Sequence, residues 1–293
     1  WTLLRAIRPD AGSGSSPGFA RMLDFPVERD PQIMGIVNVT PDSFSDGGRF
    51  DAHASAIAQG RRLAAEGAHI VDVGGESTRP GAESIPVGNE IERVVPVVSA
   101  LSDDGIAVSV DTSKPEVMEA AVAAGACMVN DIYALQRPGA LEMAARLSVP
   151  VCLMHMQGTP ATMQKAPRYD NLAREVTEFL RSRIDACVNA GIDRSHLLVD
   201  PGFGFGKTRK HNHTLMGQLR RFSELGVPLL IGVSRKAFVR ALVQNASEEI
   251  LDEMSALLAL LAVDQGAKFV RVHNARLTRN LLENHSVLEQ TSP

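Results

Sequence analysis

Short runs of apolar, often β-branched residues recur along the chain, and each run ends at polar residues that open a loop. Runs that are apolar throughout and alternate with longer helical patterns are typical of parallel strands buried on both faces. The runs predicted as strands are Ile33–Asn38, His69–Gly74, Ala107–Asp111, Cys127–Asp131, Val151–His155, Leu197–Asp200, Leu229–Ser234 and Phe269–His273.

Helix signals fill the segments between these strands. Ala54–Ala65 is rich in alanine and is followed by Gly67, a typical helix stop. Pro115 suits the first turn of a helix that Gly125 closes, and Leu172–Ala190 places its apolar residues on one face. Repeated strand–helix units of this kind predict an α/β fold, a (β/α)8 TIM barrel with its site at the carboxyl rim of the strands. An open doubly wound sheet is the alternative.

Length and composition agree with one domain. The chain has 293 residues, of which 44% are hydrophobic, and an α/β barrel takes about 250 residues. Residues 1–24 include a Gly/Ser tract and are predicted to be a flexible N-terminal segment, which leaves 25–293 as a single catalytic domain. The net charge of −4 is spread along the chain and gives no sign of nucleic-acid binding.

Two further observations concern location. The longest apolar stretch, Ala256–Val263, is too short to span a membrane, and no signal-peptide pattern is visible at the N-terminus. The three cysteines, Cys127, Cys152 and Cys187, are widely separated without a C-x-x-C motif, which predicts buried thiols in a reducing compartment. We therefore expect a cytoplasmic protein.

The polar residues at the strand ends form a mixed set that should gather at one rim of the barrel. They are Asn38, Asp72, Asp111, Asn130, Asp131, His155, Asp200, Ser234, Arg235, Lys236, Arg271 and His273. The set has neither a Ser/His/Asp order nor a two-histidine metal signature. Its carboxylates and carboxamides suit the N–H donors of a flat nitrogen heterocycle, and its cations suit a phosphate.

Several of these residues have simpler interpretations that the sequence leaves open. Arg271 and His273 leave the same face of a strand and suit a pyrophosphate. The alternative is that Arg271 pairs with a structural carboxylate and His273 caps a backbone carbonyl. Asp111 could merely cap the helix that begins near Pro115. Asp200 could form a turn with the Pro-Gly that follows it.

The glycine-rich stretch 201–208 resembles a nucleotide-binding loop only superficially. Pro201 occupies the position where a P-loop requires glycine. The glycines instead suit a backbone that approaches a ligand closely, with Phe205 offering a ring. His211 and His213 are predicted to be solvated or packing residues rather than metal ligands.

Eight segments in this order resemble the dihydropteroate synthase family, over residues 25 to about 282. They are Gly35–Gly48, Val71–Gly81, Ser109–Glu116, Val129–Ile132, Cys152–Gly158, Leu198–Lys207, Ser234–Lys236 and Arg271–His273. The resemblance implies a barrel enzyme, usually a homodimer, that condenses 6-hydroxymethyl-7,8-dihydropterin pyrophosphate with para-aminobenzoate. The implied products are 7,8-dihydropteroate and pyrophosphate, with Mg2+ as cofactor and sulfonamides as inhibitors.

The resemblance also implies roles for individual residues. The pterin-binding set of the family is matched by Asp111, Asn130, Asp200 and Lys236. The substrate contacts also include Met154 and Ser234. Asn38 matches the residue through which Mg2+ meets the pyrophosphate. The residues matching pyrophosphate or loop contacts are Thr78, Arg79, Arg271 and His273, and those matching the surroundings of the aminobenzoate are Pro80, Phe205 and Arg235.

The expected chemistry fits this assignment. Loss of pyrophosphate leaves a cation delocalised into the pterin, so the enzyme must assist the leaving group and supply a negative field. We expect Arg271, His273 and Mg2+ to meet the first need, Asp46 the second, and Lys236 to complete the catalytic set. An arylamine is unprotonated at neutral pH, which explains the missing general base.

The chain departs from the family pattern at three places. Ala237–Arg240 follows Lys236 where a small residue and a glycine are common, and Phe238 is expected to add bulk there. Leu251–Ser255 replaces a common Arg-Leu-x-Gly-Ser stretch, and Asn274 stands where Asp is usual. The remaining functional alternatives are a non-catalytic pterin-binding homologue and a corrinoid-dependent methyltransferase module that holds a reduced folate.

Overall fold

Eight parallel strands alternate with helices in the computed structural model, which describes residues 31–39, 49–243 and 246–290, without the side chains of 49–51 and 288–290. The strands are β1 Gln32–Asn38, β2 Ile70–Gly74, β3 Val108–Asp111, β4 Met128–Asp131, β5 Val151–Met154, β6 Leu197–Asp200, β7 Leu230–Ile231 and β8 Phe269–Val272. Residues 1–24, the boundary at residue 25 and Asp46 lie outside the described residues.

The strands close into a barrel. Their order is β6-β5-β4-β3-β2-β1-β8-β7, and a parallel bridge between Val199 and Leu229 joins β6 to the residue before β7. An open doubly wound sheet would keep two free edges, so the predicted (β/α)8 barrel is confirmed and the open-sheet alternative is excluded.

Helices cover the outside of the barrel. They are α1 Arg49–Ala65, α2 Val87–Asp103, α3 Pro115–Ala123, α4 Ala140–Leu147, α5 Leu172–Asn189, α6 Arg209–Met216, α7 Ala237–Arg240, α8 Glu248–Asp264 and α9 Ala275–Gln290. Pro115 occupies the first turn of α3, and Gly125 beyond its end has φ +108°, as the sequence predicted. The Asn171 side chain caps α5 by accepting from the Arg174 N–H.

The core has two layers because strand residues alternate between the faces of the barrel. The outward-facing valines of β2, β3 and β4 pack with apolar residues of the helices. A second buried cluster includes Met34, Ile70, Met128, Leu198 and Phe269, whose side chains leave the opposite face and fill the barrel interior. This apolar interior forms the floor on which the polar strand ends stand.

The strand predictions hold to within one residue except at β7. That strand was predicted over Leu229–Ser234 but spans Leu230–Ile231. Beyond Ile231 the chain turns: the Lys236 N–H donates to the Val233 carbonyl, and Arg235 adopts a left-handed φ of 56°. An apolar run can therefore continue past the hydrogen-bonded strand, which the residue pattern alone does not reveal.

In the described part of the chain, no helix is long and apolar enough to cross a membrane. Cys127, Cys152 and Cys187 are buried and form no disulfide, which confirms the interpretation of the three thiols. The cytoplasmic location stays a prediction.

Candidate active site

A layer of polar side chains lies above the apolar floor, at the carboxyl ends of the strands. Asp72 follows Ile70 by two positions, as Asn130 follows Met128 and Arg271 follows Phe269. Because side chains two apart share a strand face, these polar groups project into the same interior as the floor beneath them. This is the rim at which α/β barrels carry their sites.

Arg271 links three strands of this layer. Its Nε lies 2.6 Å from Asp72 Oδ2, and one terminal nitrogen lies 2.8 Å from Asp111 Oδ2. Asn130 donates from Nδ2 to the same oxygen of Asp72, at 3.0 Å. The structure thus brings the predicted residues Asp111, Asn130 and Arg271 together, and in this arrangement Arg271 is paired with carboxylates, as the simpler interpretation held.

Two carboxylates of the layer, Asp111 and Asp200, have raised pKa values. Burial raises the pKa of Asp111, with the charge of Arg271 opposing the rise and that of Asp72 adding to it. Burial likewise raises the pKa of Asp200 against the opposing charge of Lys236. Asp111 accepts from Arg271 at 2.8 Å and Asp200 accepts from the Gly202 N–H at 2.7 Å. Further hydrogen bonds from N–H groups of a ligand would favour the charged form of both carboxyl groups.

Lys236 stands beside Asp200 and against the ring of Phe205. Its Nζ donates to the Phe203 carbonyl at 2.5 Å and lies 4.6 Å from the centre of the Phe205 ring. Burial lowers the pKa of Lys236 to about 8, opposed by the charge of Asp200. Met154 is buried and pairs in register with Asp200. The residues predicted for the pterin therefore adjoin Phe205, predicted for the aminobenzoate.

His273 is held by Ser234. The His273 N–H donates to Ser234 Oγ at 3.2 Å, and the same hydroxyl lies 2.9 Å from His273 Nδ1. Burial lowers the pKa of His273 to about 3, and the charges of Arg235, Arg271 and Arg79 lower it further. The imidazole is therefore neutral at physiological pH, so it can donate a hydrogen bond to a ligand but brings no positive charge.

Arg235 is directed away from the pterin residues. Its Nε and one terminal nitrogen lie 2.7 and 2.9 Å from the two oxygens of Asp252 on α8, and its N–H donates to Ser255 Oγ. Asn274 donates to the same carboxylate at 3.2 Å. Two of the places where the chain departs from the family pattern, Leu251–Ser255 and Asn274, are therefore in contact. Asp252 of the first accepts from both Arg235 and Asn274.

Phe238 does not add bulk to the rim, contrary to the expectation from the sequence. It is 5% exposed and stacks on Phe203, with 5.8 Å between ring centres. The first residues after Lys236 form the short helix α7, which turns this side chain into the core.

The remaining predicted residues lie at the rim without joining these contacts. Thr78 is half-buried, whereas Arg79 and Pro80 are exposed in the loop after β2. Asn38 ends β1 and pairs in register with Gly74, which pairs in turn with Asp111. Asp46 lies outside the described residues, so its predicted role stays a prediction.

Sequence reasoning missed Lys207 and its contact with His155, which was predicted only as a polar strand end. Lys207 Nζ lies 2.9 Å from His155 Nδ1 and donates to the carbonyls of Gly202 and Phe205 at 2.9 and 3.0 Å. Burial lowers the pKa of Lys207 to about 7. A Cβ at Gly202 would lie 1.9 Å from the His155 carbonyl oxygen. Lys207 therefore stabilises the glycine-rich stretch 201–208 by donating to its carbonyl groups. A lysine used in this way is not available to bind a nucleotide phosphate, in agreement with the sequence analysis.

Asp131, His211 and His213 have structural roles. Asp131 accepts from the N–H groups of Tyr133 and Leu135, both at 2.8 Å. His211 forms a capping box with Thr208, and the His213 ring lies 6.5 Å from Phe238. Within the described ranges, no group of three or more His, Cys, Asp or Glu side chains could hold a metal ion.

The comparisons with known proteins agree with this geometry. The family model described as pterin binding enzyme matches residues 34–273. The chain belongs to this family. The dihydropteroate synthase of Escherichia coli K12 is 47% identical over 262 residues, which are 89% of this chain and 92% of that protein. The Haemophilus influenzae dihydropteroate synthase is 46% identical over 254 residues, 86% and 92% of the two chains. The resemblance to the dihydropteroate synthase family is thus confirmed.

Solved structures of the family place ligands in the same fold. The Xanthomonas albilineans dihydropteroate synthase with 4-aminobenzoic acid has a TM-score of 0.85 and 49% identity, covering 91% of this chain and 95% of that one. The enzyme of that organism in complex with 7,8-dihydropteroate has a TM-score of 0.82 and 46% identity, covering 92% and 97%. The Yersinia pestis enzyme with a sulfonamide drug complex has a TM-score of 0.84 and 45% identity, covering 89% and 95%.

Proposed function

We propose that the chain is a dihydropteroate synthase, a transferase that joins 6-hydroxymethyl-7,8-dihydropterin pyrophosphate to para-aminobenzoate. The observation that carries this proposal is the single polar layer in which Asp111, Asn130, Asp200 and Lys236 stand over an apolar floor. The curated and solved relatives are dihydropteroate synthases, so this interpretation holds over a non-catalytic homologue and a methyltransferase module.

The polar layer accounts for pterin binding. A pterin presents N–H donors along one edge, and the carboxylates of Asp111 and Asp200 accept from such donors. Lys236 and the Asn130 amide add donors for the ring's carbonyl and nitrogen acceptors. Discrimination follows because a ring without these groups would leave buried carboxylates unpaired, which is costly.

The reaction then requires departure of pyrophosphate and attack by the arylamine. The bond from the pterin methylene to the pyrophosphate oxygen breaks, a carbon–nitrogen bond forms, and the amine proton is released. Although burial opposes its charge, the carboxylates of Asp72 and Asp111 raise the pKa of Arg271 further above its usual range, so Arg271 remains a cation. Arg271 and the neutral His273 would bind the departing phosphate oxygens.

Mg2+ is part of the proposal. The Asn38 carboxamide at the end of β1 provides one oxygen at the rim. Mg2+ suits such a site because it keeps several waters and is typically held by one or two protein ligands together with substrate phosphates. Bound with the pyrophosphate, it would neutralise charge on the leaving group.

We also propose a homodimer, supported by an apolar stripe on α8. Ile250, Leu257 and Leu261 are 46%, 44% and 43% exposed and lie seven and four positions apart, on one face of the helix. Sedimentation of the wild type should give twice the chain mass. Leu257→Glu should give the monomer mass, with the exposed Glu253→Ala on the same helix as control. A monomeric wild type would refute the dimer.

One assay tests the reaction. The purified protein is mixed with both substrates and Mg2+, and pyrophosphate and dihydropteroate are quantified separately. We expect equal amounts of both products and neither when one substrate is omitted. Pyrophosphate release without dihydropteroate would contradict the proposal, because it would indicate hydrolysis rather than transfer.

A further inference from the structure

A buried ion cluster lies outside the polar layer, beneath the loop that follows β2. Lys114 Nζ lies 2.6 Å from Glu76 Oε2 and 2.5 Å from Glu90 Oε2, and it donates to the Ile85 carbonyl at 2.9 Å. Lys114 and Glu90 are only 5% and 1% exposed. Burying charges is costly unless they are paired and hydrogen-bonded, so a cluster at this place calls for an explanation.

Glu76 closes the loop by joining its two ends. The oxygen that contacts Lys114 also accepts from the Ile85 N–H at 2.8 Å and from Ser84 Oγ at 3.0 Å. Glu76 precedes the segment Thr78–Pro80, and Ser84 and Ile85 follow it. Glu76 Oε2 therefore links the part of the chain before the segment Thr78–Pro80 to the residues after it.

The loop after β2 needs such hydrogen bonds because few of its residues are buried. Residues 79–81 and Glu83 are exposed, and a further hydrogen bond joins the Gly81 N–H to the Pro160 carbonyl at 3.0 Å. Segments with few buried contacts open at low free-energy cost. The cluster at the base of the loop is therefore the part best suited to set its position.

The same cluster is joined to the pterin residues. The Thr112 hydroxyl donates to Glu90 Oε1 at 2.6 Å, and the Thr112 N–H donates to the Asn130 carbonyl at 3.1 Å. Thr112 directly follows Asp111. Through Glu90 and Thr112, Lys114 thus connects the loop after β2 to Asp111, a predicted pterin-binding residue.

We propose that Glu76 and Lys114 are positioning residues that hold Thr78–Pro80 in place for para-aminobenzoate. Neither side chain touches the substrates; each acts through the loop. This inference rests on the proposed function, because it takes the loop that carries Pro80 as part of the aminobenzoate site, as the family resemblance implies.

Glu76 is the better residue to change. Burial favours its neutral form, but the hydrogen bonds from Lys114, Ile85 and Ser84 outweigh burial and lower the pKa of Glu76. Removal of Lys114 would leave two carboxylates without their cation, which could prevent folding. Removal of Glu76 leaves Lys114 paired with Glu90.

The experiment compares Glu76→Ala, which deletes all three bonds, with Glu76→Gln, which keeps an acceptor. Glu83→Ala, an exposed glutamate of the same loop, is the matched control. Steady-state kinetics gives KM for para-aminobenzoate, calorimetry gives the affinity for pterin pyrophosphate, and amide exchange of residues 77–83 is measured without ligands.

For Glu76→Ala we expect a KM for para-aminobenzoate at least tenfold higher, pterin affinity within twofold of wild type, and faster exchange in the loop. Glu76→Gln should recover most of the KM, and Glu83→Ala should match wild type. An unchanged KM, an equal loss of pterin affinity, or a similar effect of Glu83→Ala would overturn the proposal. An inactive wild type would instead refute the proposed function, and unchanged loop exchange in Glu76→Ala would then still refute the positioning role.

Discussion

Arg271 on β8 is fastened to Asp72 on β2, with 2.6 Å between Nε and Oδ2, although the two residues are 199 positions apart in the chain. Asp72 has no exposed surface, and Asn130 donates to the same oxygen. The other oxygen of Asp72 is buried and accepts no hydrogen bond within the described residues. Asp72 therefore fixes the direction of Arg271 from below the rim.

This relationship predicts that Asp72→Asn lowers kcat/KM for pterin pyrophosphate. Hydrogen bonds to charged groups contribute about 1.5–3 kcal/mol, so a loss of roughly 10- to 100-fold is expected. The exposed Asp103→Asn is the matched control. Unchanged kinetics in a folded Asp72→Asn protein would show that Arg271 needs no such support.

Asp111→Ala and Asp200→Ala should each abolish pterin binding while leaving the fold largely intact. Each change removes a buried acceptor and leaves ligand N–H groups unpaired. Calorimetry with the pterin substrate measures the loss, circular dichroism checks the fold, and the exposed Asp185→Ala serves as control. A pterin affinity within threefold of wild type would contradict the assignment.

The strands could be predicted from the sequence because their signal is local. An apolar run between a helix stop and a polar loop indicates a buried parallel strand without knowledge of its neighbours. β7 is the exception, since its end depends on the turn in which Lys236 donates to the Val233 carbonyl. That turn is held by a residue distant in the chain, since Ser255 Oγ on α8 accepts from the Arg235 N–H.

The site was predictable only where a polar residue ends a strand. Asp111, Asn130 and Asp200 could be identified in this way. Lys114 and Lys207 could not, because a lysine in a loop is usually exposed and only distant partners reveal a buried one. Glu90, which pairs with Lys114, lies on helix α2, and no sequence pattern connects that helix with the site.

Pterin binding should weaken as the pH rises above 8. Burial lowers the pKa of Lys236 to about 8, so its charge is present below that pH and lost above it. Lys236→Met should bind roughly 10- to 100-fold more weakly at pH 7, as expected for loss of a charged donor, and should lose this alkaline decline. The charge of Lys236 also lowers the pKa of Lys207, so any pH dependence that remains in Lys236→Met is assigned to Lys207 and not to Lys236. Parallel pH profiles of affinity would contradict the role of Lys236.

Removal of Mg2+ should weaken pyrophosphate binding and stop turnover if, as proposed, Asn38 acts on the leaving group through the metal. Asn38→Ala should need more Mg2+ for half-maximal rate, whereas Asn89→Ala, an exposed asparagine before Glu90, should not. Titration of the rate with Mg2+ in both variants measures this. Turnover unchanged by EDTA would contradict the metal's role.

Sulfonamides should compete with para-aminobenzoate, because their aniline end reproduces the nucleophile and their sulfonyl group the carboxylate. Phe238 lies in the core against Phe203, so the atypical stretch after Lys236 gives no reason to expect exclusion of the larger drug. Steady-state kinetics with one sulfonamide should show a higher apparent KM for para-aminobenzoate at an unchanged maximal rate. Inhibition that is relieved only by excess pterin pyrophosphate would place the drug in the pterin site instead. The variant Phe238→Leu should leave the inhibition constant within about twofold, since Phe238 packs in the core against Phe203 and not at the rim.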